Sequence, residues 1–217
     1  MRVTVKICGV TRLADARAAA EAGADYVGFV FFPASRRCLS QTDAEWIRTA
    51  TGAHRVGVFR DQPRDQIERL RDTARLDRIQ LHGAEDPELC AALGGRARVI
   101  KAISVADRID WGRVAEYDEV ATVLFDTASP TGGGTGQVFD WRTLGDRPAA
   151  LRFWLAGGLD PTNVADAVRA LHPSGVDVAS GVESEVGCKD PAKIRAFIAT
   201  VRAAAAGCAD GNPAGGR

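Results

Sequence analysis

Four side-chain positions stand out because each follows an apolar run and is of a type that moves protons or holds anions. The run Val3-Thr4-Val5-Lys6-Ile7 ends at Cys8. A thiol there acts as a base if nearby positive charge or backbone N–H groups favour its thiolate. A free cysteine is equally at home as a small buried apolar residue. Val123-Leu124-Phe125 ends at Asp126. A carboxylate behind three apolar residues is poorly solvated, which favours the protonated form that a general acid needs; an Asp also caps its own loop. Gln80-Leu81 ends at His82, a proton carrier or a hydrogen-bonded wall residue. Pro33-Ala34-Ser35 leads into Arg36-Arg37. An arginine fork matches a carboxylate or phosphate, whereas two adjacent arginines in a loop also serve as solvated charge.

Glycine is the one skewed count, 23 of 217 residues, about 11% against a usual value of roughly 7%. It gathers in Thr131-Gly132-Gly133-Gly134-Thr135-Gly136, in Leu155-Ala156-Gly157-Gly158-Leu159 and in Ala179-Ser180-Gly181-Val182. Such clusters read as loose surface loops or as backbone brought close to an anion. Gly133, Gly134, Gly157, Gly158, Ser180 and Gly181 are therefore the candidates for holding a phosphate.

These residues have to be positioned by the elements before them. Short β-rich runs at 3–7, 26–31, 55–59, 78–81, 99–103, 120–125, 152–155 and 175–179 alternate with helical stretches. The helical stretches are 12–22, 42–50, 64–74, 87–93, 162–171 and 191–204, and the short segment after Asp140 is broken by Gly and Pro. Thr11, Asp160 and Asp190 precede helix starts as caps, the last two followed by Pro. Eight strands each followed by a helix fit right-handed βα units. A doubly wound sheet could use the same units. The count of eight favours a single α/β domain, a closed (β/α)8 TIM barrel of eight parallel strands, with chemistry at the carboxyl ends of the strands. In such barrels, glycine-rich exits from the last two strands are a standard phosphate position. The barrel is expected over residues 1–206, with a disordered Gly/Ala-rich tail at 207–217.

The totals exclude other classes. Lys plus Arg and Asp plus Glu are both 28, giving zero net charge, so no global field favours nucleic acid or an anionic membrane. No run approaches the roughly 18 apolar residues of a membrane span, and no secretory signal is visible at the start. The five cysteines and three histidines show no Cys-x-x-Cys pair and no zinc spacing. The reading is a cytoplasmic chain with free thiols and no metal.

At these residues the chain closely resembles the phosphoribosylanthranilate isomerase family of tryptophan biosynthesis, whose enzymes perform an Amadori rearrangement. The matching stretches are Lys6-Ile7-Cys8-Gly9-Val10-Thr11, Gly28-Phe29-Val30-Phe31, Val56-Gly57-Val58-Phe59 and Gln80-Leu81-His82-Gly83. They continue with Gly133-Gly134-Thr135-Gly136, Leu155-Ala156-Gly157-Gly158-Leu159, Val176-Asp177-Val178-Ala179-Ser180-Gly181-Val182-Glu183 and Gly187-Cys188-Lys189-Asp190. They occur in family order over almost the whole chain. The resemblance implies a (β/α)8 barrel without a cofactor and a small-molecule phosphosugar-anthranilate substrate; the sequence leaves monomer and homodimer both open. It implies Cys8 as general base, Asp126 as general acid and Arg37 as the contact for the anthranilate carboxylate. The chain departs from many relatives in carrying Ser35-Arg36-Arg37, which leaves open which arginine faces the substrate. Two other readings compete: a related phosphosugar isomerase of histidine biosynthesis, and a non-catalytic phosphate-binding barrel. The first would use paired aspartates, where this chain has Cys8 and Ser104.

Overall fold

Backbone that must bury both faces of a strand needs a pairing partner on each side, and eight such runs in this chain satisfy one another in a ring. The computed structural model describes residues 2–50, 52–105, 108–127 and 140–210. The strands are β1 Thr4–Ile7, β2 Tyr26–Val30, β3 His54–Phe59, β4 Arg78–Leu81, β5 Val99–Val105, β6 Thr122–Thr127, β7 Phe153–Leu155 and β8 Gly175–Val178. Each pairs in parallel with the next, and β1 closes on β8 from Thr4↔Gly175 to Ile7↔Val178. The expected closed barrel is thus the fold.

The helices are α1 Leu13–Glu21, α2 Ala44–Ile47, α3 Arg64–Ala74, α4 Pro87–Ala92, α5 Trp111–Val120, α6 Val164–Leu171 and α7 Pro191–Asp210. They cover outward-facing strand residues such as Ile7, Phe29, Phe59, Leu81, Phe125 and Val176, and these join Ile67, Leu70, Val168 and Phe197 in one continuous apolar layer. Full burial of each such side chain stabilises the fold by roughly 1.5–3 kcal/mol. The barrel interior is a separate cluster of Val56, Ile100, Ala102, Leu124, Trp154 and Ala156. At its lower end the Arg78 guanidinium lies over the Tyr26 and Trp154 rings, at 6.0 and 5.8 Å. Gly175 leaves room for the indole, since a Cβ there would sit 2.7 Å from the Trp154 ring.

Several sequence expectations are corrected. Val120, read as the start of a strand, ends α5, a helix not anticipated; its polar residues Arg113, Glu116, Asp118 and Glu119 lie against only two buried side chains, Val114 and Tyr117. The helix expected over 42–50 is a 3₁₀ turn, Gln41–Asp43, followed by a single turn of α-helix. Thr11 does not cap α1, because its hydroxyl donates to the Gly187 carbonyl at 2.6 Å. Asp190 does cap, accepting from the Ala192 N–H at 2.8 Å. The last helix runs on past 204 to Asp210, and the rest of the expected tail lies outside the described residues. A short hairpin of β9 Glu183–Glu185 and β10 Cys188–Lys189 follows β8. Among the described residues, no helix is long and apolar enough to cross a membrane.

Candidate active site

Side chains alternate faces along a strand. In β1 this turns Lys6 inward and, one step beyond the strand, Cys8 as well. By the same period Gln80 and His82 point inward from β4, Asp126 from β6 and Asp177 from β8. They converge at the carboxyl ends of the strands, on a cavity whose lining includes Cys8, Arg37, Gln80, His82, Asp126 and Asp177. Val30, Phe32 and Val58 cluster with Cys8 and make one wall apolar.

Cys8 is buried, and its N–H donates to the Val178 carbonyl at 2.8 Å. Its thiol meets Lys6 over Gly28, where a Cβ would stand 2.8 Å from Sγ and 2.9 Å from Lys6 Cε. The Lys6 ammonium donates to Asp177 Oδ2 at 2.7 Å and to Gln80 Oε1 at 2.8 Å. Among the described residues, Asp177 Oδ1 is buried without a hydrogen-bond partner. Burial pushes the Cys8 thiol above its ordinary value and Asp177 adds to this, while Lys6 and Lys189 oppose it. Burial likewise pushes the Asp177 carboxyl up against the pull of Lys6. Burial alone would lower Lys6, yet Asp177 and Cys8 beside it hold its ammonium above the usual range. One cation therefore faces two acids, and the low-dielectric site favours a single negative charge between them.

His82 lies between two partners. Its Nδ1 is 3.3 Å from Gln80 Nε2, and its Nε2 is 3.2 Å from Asp126 Oδ2. Asp126 is 7% exposed. Its Oδ1 faces Gly157 at the exit of β7, where a Cβ would come within 3.0 Å.

Of the two arginines, Arg37 is the one that reaches the cavity. Arg36 is exposed, whereas Arg37 is buried, lines the cavity and forms a two-pronged ion pair with Glu183. Glu183 also accepts from Lys189 Nζ at 2.8 Å. Burial would raise the Glu183 carboxyl, but the bonds from Arg37 and Lys189 hold it below the ordinary range. The Arg37 stem crosses Gly9, whose φ of +68° also excludes most side chains.

Gly157 and Gly158 both take positive φ, +86° and +66°, and together with Ser180 line the cavity on its β7–β8 side. Gly181 stands just outside that lining; its backbone passes so near the next loop that a Cβ would lie 2.9 Å from Asp160 Cα. Gly133 and Gly134 lie outside the described residues.

The structure thus brings Cys8, Arg37, His82, Asp126, Gly157, Gly158 and Ser180 to one cavity. Sequence reasoning missed Lys6, Gln80, Asp177 and Glu183. For the first three a signal existed: each is a polar residue inside an apolar strand, two places before a strand exit, and so on the same face as the residue that ends it.

A family model described as N-(5'phosphoribosyl)anthranilate (PRA) isomerase matches residues 5–200. N-(5'-phosphoribosyl)anthranilate isomerase of Magnetococcus marinus is 46% identical over 206 residues, covering 94% of this chain and 97% of the relative. The crystal structure of phosphoribosyl anthranilate isomerase from Thermotoga maritima superposes with a TM-score of 0.83 at 39% identity, covering 93% of this chain and all of that one. A crystal structure of phosphoribosyl anthranilate isomerase in complex with reduced 1-(o-carboxyphenylamino)-1-deoxyribulose 5-phosphate is similar to the same extent, with a TM-score of 0.80 at 38% identity over 93% of this chain and all of that one.

Proposed function

This chain belongs to the N-(5'-phosphoribosyl)anthranilate isomerase family, and on that premise we propose that Cys8 and Asp126 carry the proton transfers of its reaction. The enzyme is an isomerase of tryptophan biosynthesis. Its substrate is N-(5-phosphoribosyl)anthranilate and its product the corresponding 1-(2-carboxyphenylamino)-1-deoxyribulose 5-phosphate. The observation that carries the role assignment is the pairing of a thiol and a carboxyl in one cavity that has a glycine-lined side and an arginine.

Asp126 donates its proton to the ribose ring oxygen as the C1–O bond breaks and the aryl amine becomes a Schiff base. Cys8, as thiolate, takes the proton from C2, with the iminium as electron sink. The enolamine then passes its hydroxyl proton to C1 and becomes the ketone. Each positioned acid or base contributes about 10²–10⁴-fold. The thiol is neutral at rest, because burial and Asp177 disfavour its anion. It first loses its proton to solvent, and Lys6 is the cation that stabilises the thiolate so formed. After turnover, with Cys8 again a thiol, Asp126 regains a proton from solvent.

Arg37 receives the anthranilate carboxylate through the guanidinium nitrogen that Glu183 leaves free, beside the apolar wall of Val30, Phe32 and Val58. Gly157, Gly158, Ser180 and Gly181, joined by Gly133 and Gly134, hold the phosphate. Gripping both ends converts binding energy into orientation of C1 and C2 between acid and base. No resident cofactor takes part, and the protein works as a cytoplasmic monomer or homodimer, which light scattering distinguishes.

The test is loss of the fluorescence of phosphoribosylanthranilate made in situ from anthranilate. Cys8→Ala and Asp126→Val are expected to abolish the decay while the variants stay folded, since neither residue belongs to the helix–barrel layer. Substantial residual activity in both would overturn the roles. A histidine-pathway isomerase is not favoured, because β5 carries Ser104 where a second aspartate would be needed.

A further inference from the structure

Lysine ammonium has three donors and no acceptor. The buried Lys6 therefore dictates the orientation of the Gln80 amide above it, with Oε1 turned to Lys6 at 2.8 Å. The Gln80 NH₂ is then the group that faces His82 Nδ1 at 3.3 Å. An N–H cannot donate to an N–H, so Nδ1 has to be the bare, accepting nitrogen. The ring proton is left on Nε2, which points at Asp126 Oδ2 at 3.2 Å. Each step follows from the donor inventory of the group before it, starting from a lysine 74 residues away from Gln80 in the chain.

Asp177 from β8 is also close enough to act on this ring, and Arg60, Asp61 and Lys101 line the neighbouring cleft that shares His82. None of these bonds to a ring nitrogen among the described residues; Lys101, for instance, is engaged by Glu85 at 2.8 Å. Among the described residues, the group that bonds to Nδ1 is the Gln80 amide, which Lys6 orients.

A carboxyl group that accepts a fixed N–H on one oxygen carries its own proton on the other. We infer that Gln80, clamped by Lys6, holds His82 as the Nε2–H tautomer and so keeps the transferable proton of Asp126 on Oδ1. That oxygen is the one facing Gly157, on the glycine-lined side of the cavity. His82 is then a positioning residue and not a shuttle, because its far nitrogen faces a donor and has no route by which to receive a proton. The part concerning Oδ1 rests on the reading of Asp126 as general acid; the tautomer does not.

Imidazole ¹H–¹⁵N correlation spectra of the labelled full-length protein test the tautomer directly, with three histidines to resolve. His82 is expected to show a protonated Nε2 and a bare Nδ1. A protonated Nδ1 overturns the inference. Gln80→Glu preserves size and the bond from Lys6 but offers His82 an acceptor, so the proton is expected on Nδ1. With it kcat should fall by about 10-fold or more while KM stays within about 3-fold, since a mis-set tautomer damages proton transfer and not binding. Wild-type kcat in that variant with the proton moved would sink the link to Asp126, whatever the fold requires of Gln80. Gln80→Met, which removes both bonds, is expected to give a mixed tautomer and a similar kcat loss; a single Nε2–H form there would also overturn the role of Gln80. Full activity in Asp126→Asn would instead remove the general-acid reading and leave the wild-type spectrum to decide the tautomer.

Discussion

Arg37 and Glu183 stand 146 residues apart in the chain and meet in a two-pronged ion pair, with Nε to Oε1 at 2.7 Å and Nη2 to Oε2 at 2.6 Å. Both side chains are largely buried, at 9% and 5% exposure. Glu183 thus acts as a splint that aims the remaining edge of the guanidinium into the cavity. Removing one member of such a pair leaves the other charge buried and unmatched, at a cost of about 3–5 kcal/mol.

Arg37→Ala is accordingly expected to raise KM more than it lowers kcat, and Glu183→Gln to raise KM by a smaller factor through loss of aim. Steady-state fluorescence assays on both variants check this. An unchanged KM in Arg37→Ala would rule out its contact with the carboxylate.

Acid should weaken the fold through the same pair. Burial opposes ionisation of Glu183, but Arg37 and Lys189 hold its carboxyl below the ordinary 4.5. Burial likewise opposes ionisation of Asp25, while the Val5 N–H, Arg202 and Arg2 hold it below 3.8. A depressed carboxyl contributes its stability above the unfolded value and loses it as pH falls through the folded one. Urea midpoints are expected to be flat above those ordinary values and to drop below them, with a shallower drop in Glu183→Gln. An equally steep drop in that variant would mean that Glu183 plays no part.

Turnover should also rise with pH, but across a higher range. Burial and Asp177 place the Cys8 thiol above its ordinary 9.0, so the thiolate is the minor form at neutral pH and grows as pH rises. The value of kcat/KM is expected to climb with pH across the neutral range. Asp177→Asn removes a competing anion and should move the climb to lower pH. A shift to higher pH would mean that Asp177 helps the thiolate form and does not compete with it.

Gly28→Ala probes the meeting of thiol and ammonium. The new methyl group would press on Cys8 Sγ at 2.8 Å and Lys6 Cε at 2.9 Å. Overpacking of this kind costs about 1–3 kcal/mol, and the displaced thiol should lower kcat more than the loss of stability explains. Thermal melts and initial rates on the same preparation separate the two; a stable variant with full kcat would show that the contact has slack.

The architecture was legible because a parallel barrel imposes a simple pattern. Strands buried on both faces read as short apolar runs, and seven of the eight runs start within one residue of the strand observed. The exception, β6, starts at Thr122, because Val120 is as good a strand former as it is a helix end. The helix α5 escaped notice for a related reason. Only Val114 and Tyr117 are buried along it, too few apolar residues to draw the helical period clearly.

The sequence by itself determined the repeat, the strand exits and the residue types waiting there, because these depend on local periodicity and on what ends an apolar run. It singled out Cys8, Arg37, His82 and Asp126 in that way. Only the tertiary structure decided what each one touches. Lys6 reaches Gln80 across 74 residues and Asp177 across 171, and Arg37 reaches Glu183 across 146. Those distances close only when β1 pairs with β8 and the ring fixes which inward residues share a level. Thr11 makes the same point, since it is a good cap by its local sequence and was taken instead by the Gly187 carbonyl that the β9–β10 hairpin brings over it. Partners separated by most of the chain follow from strand register and barrel closure, which no local pattern encodes.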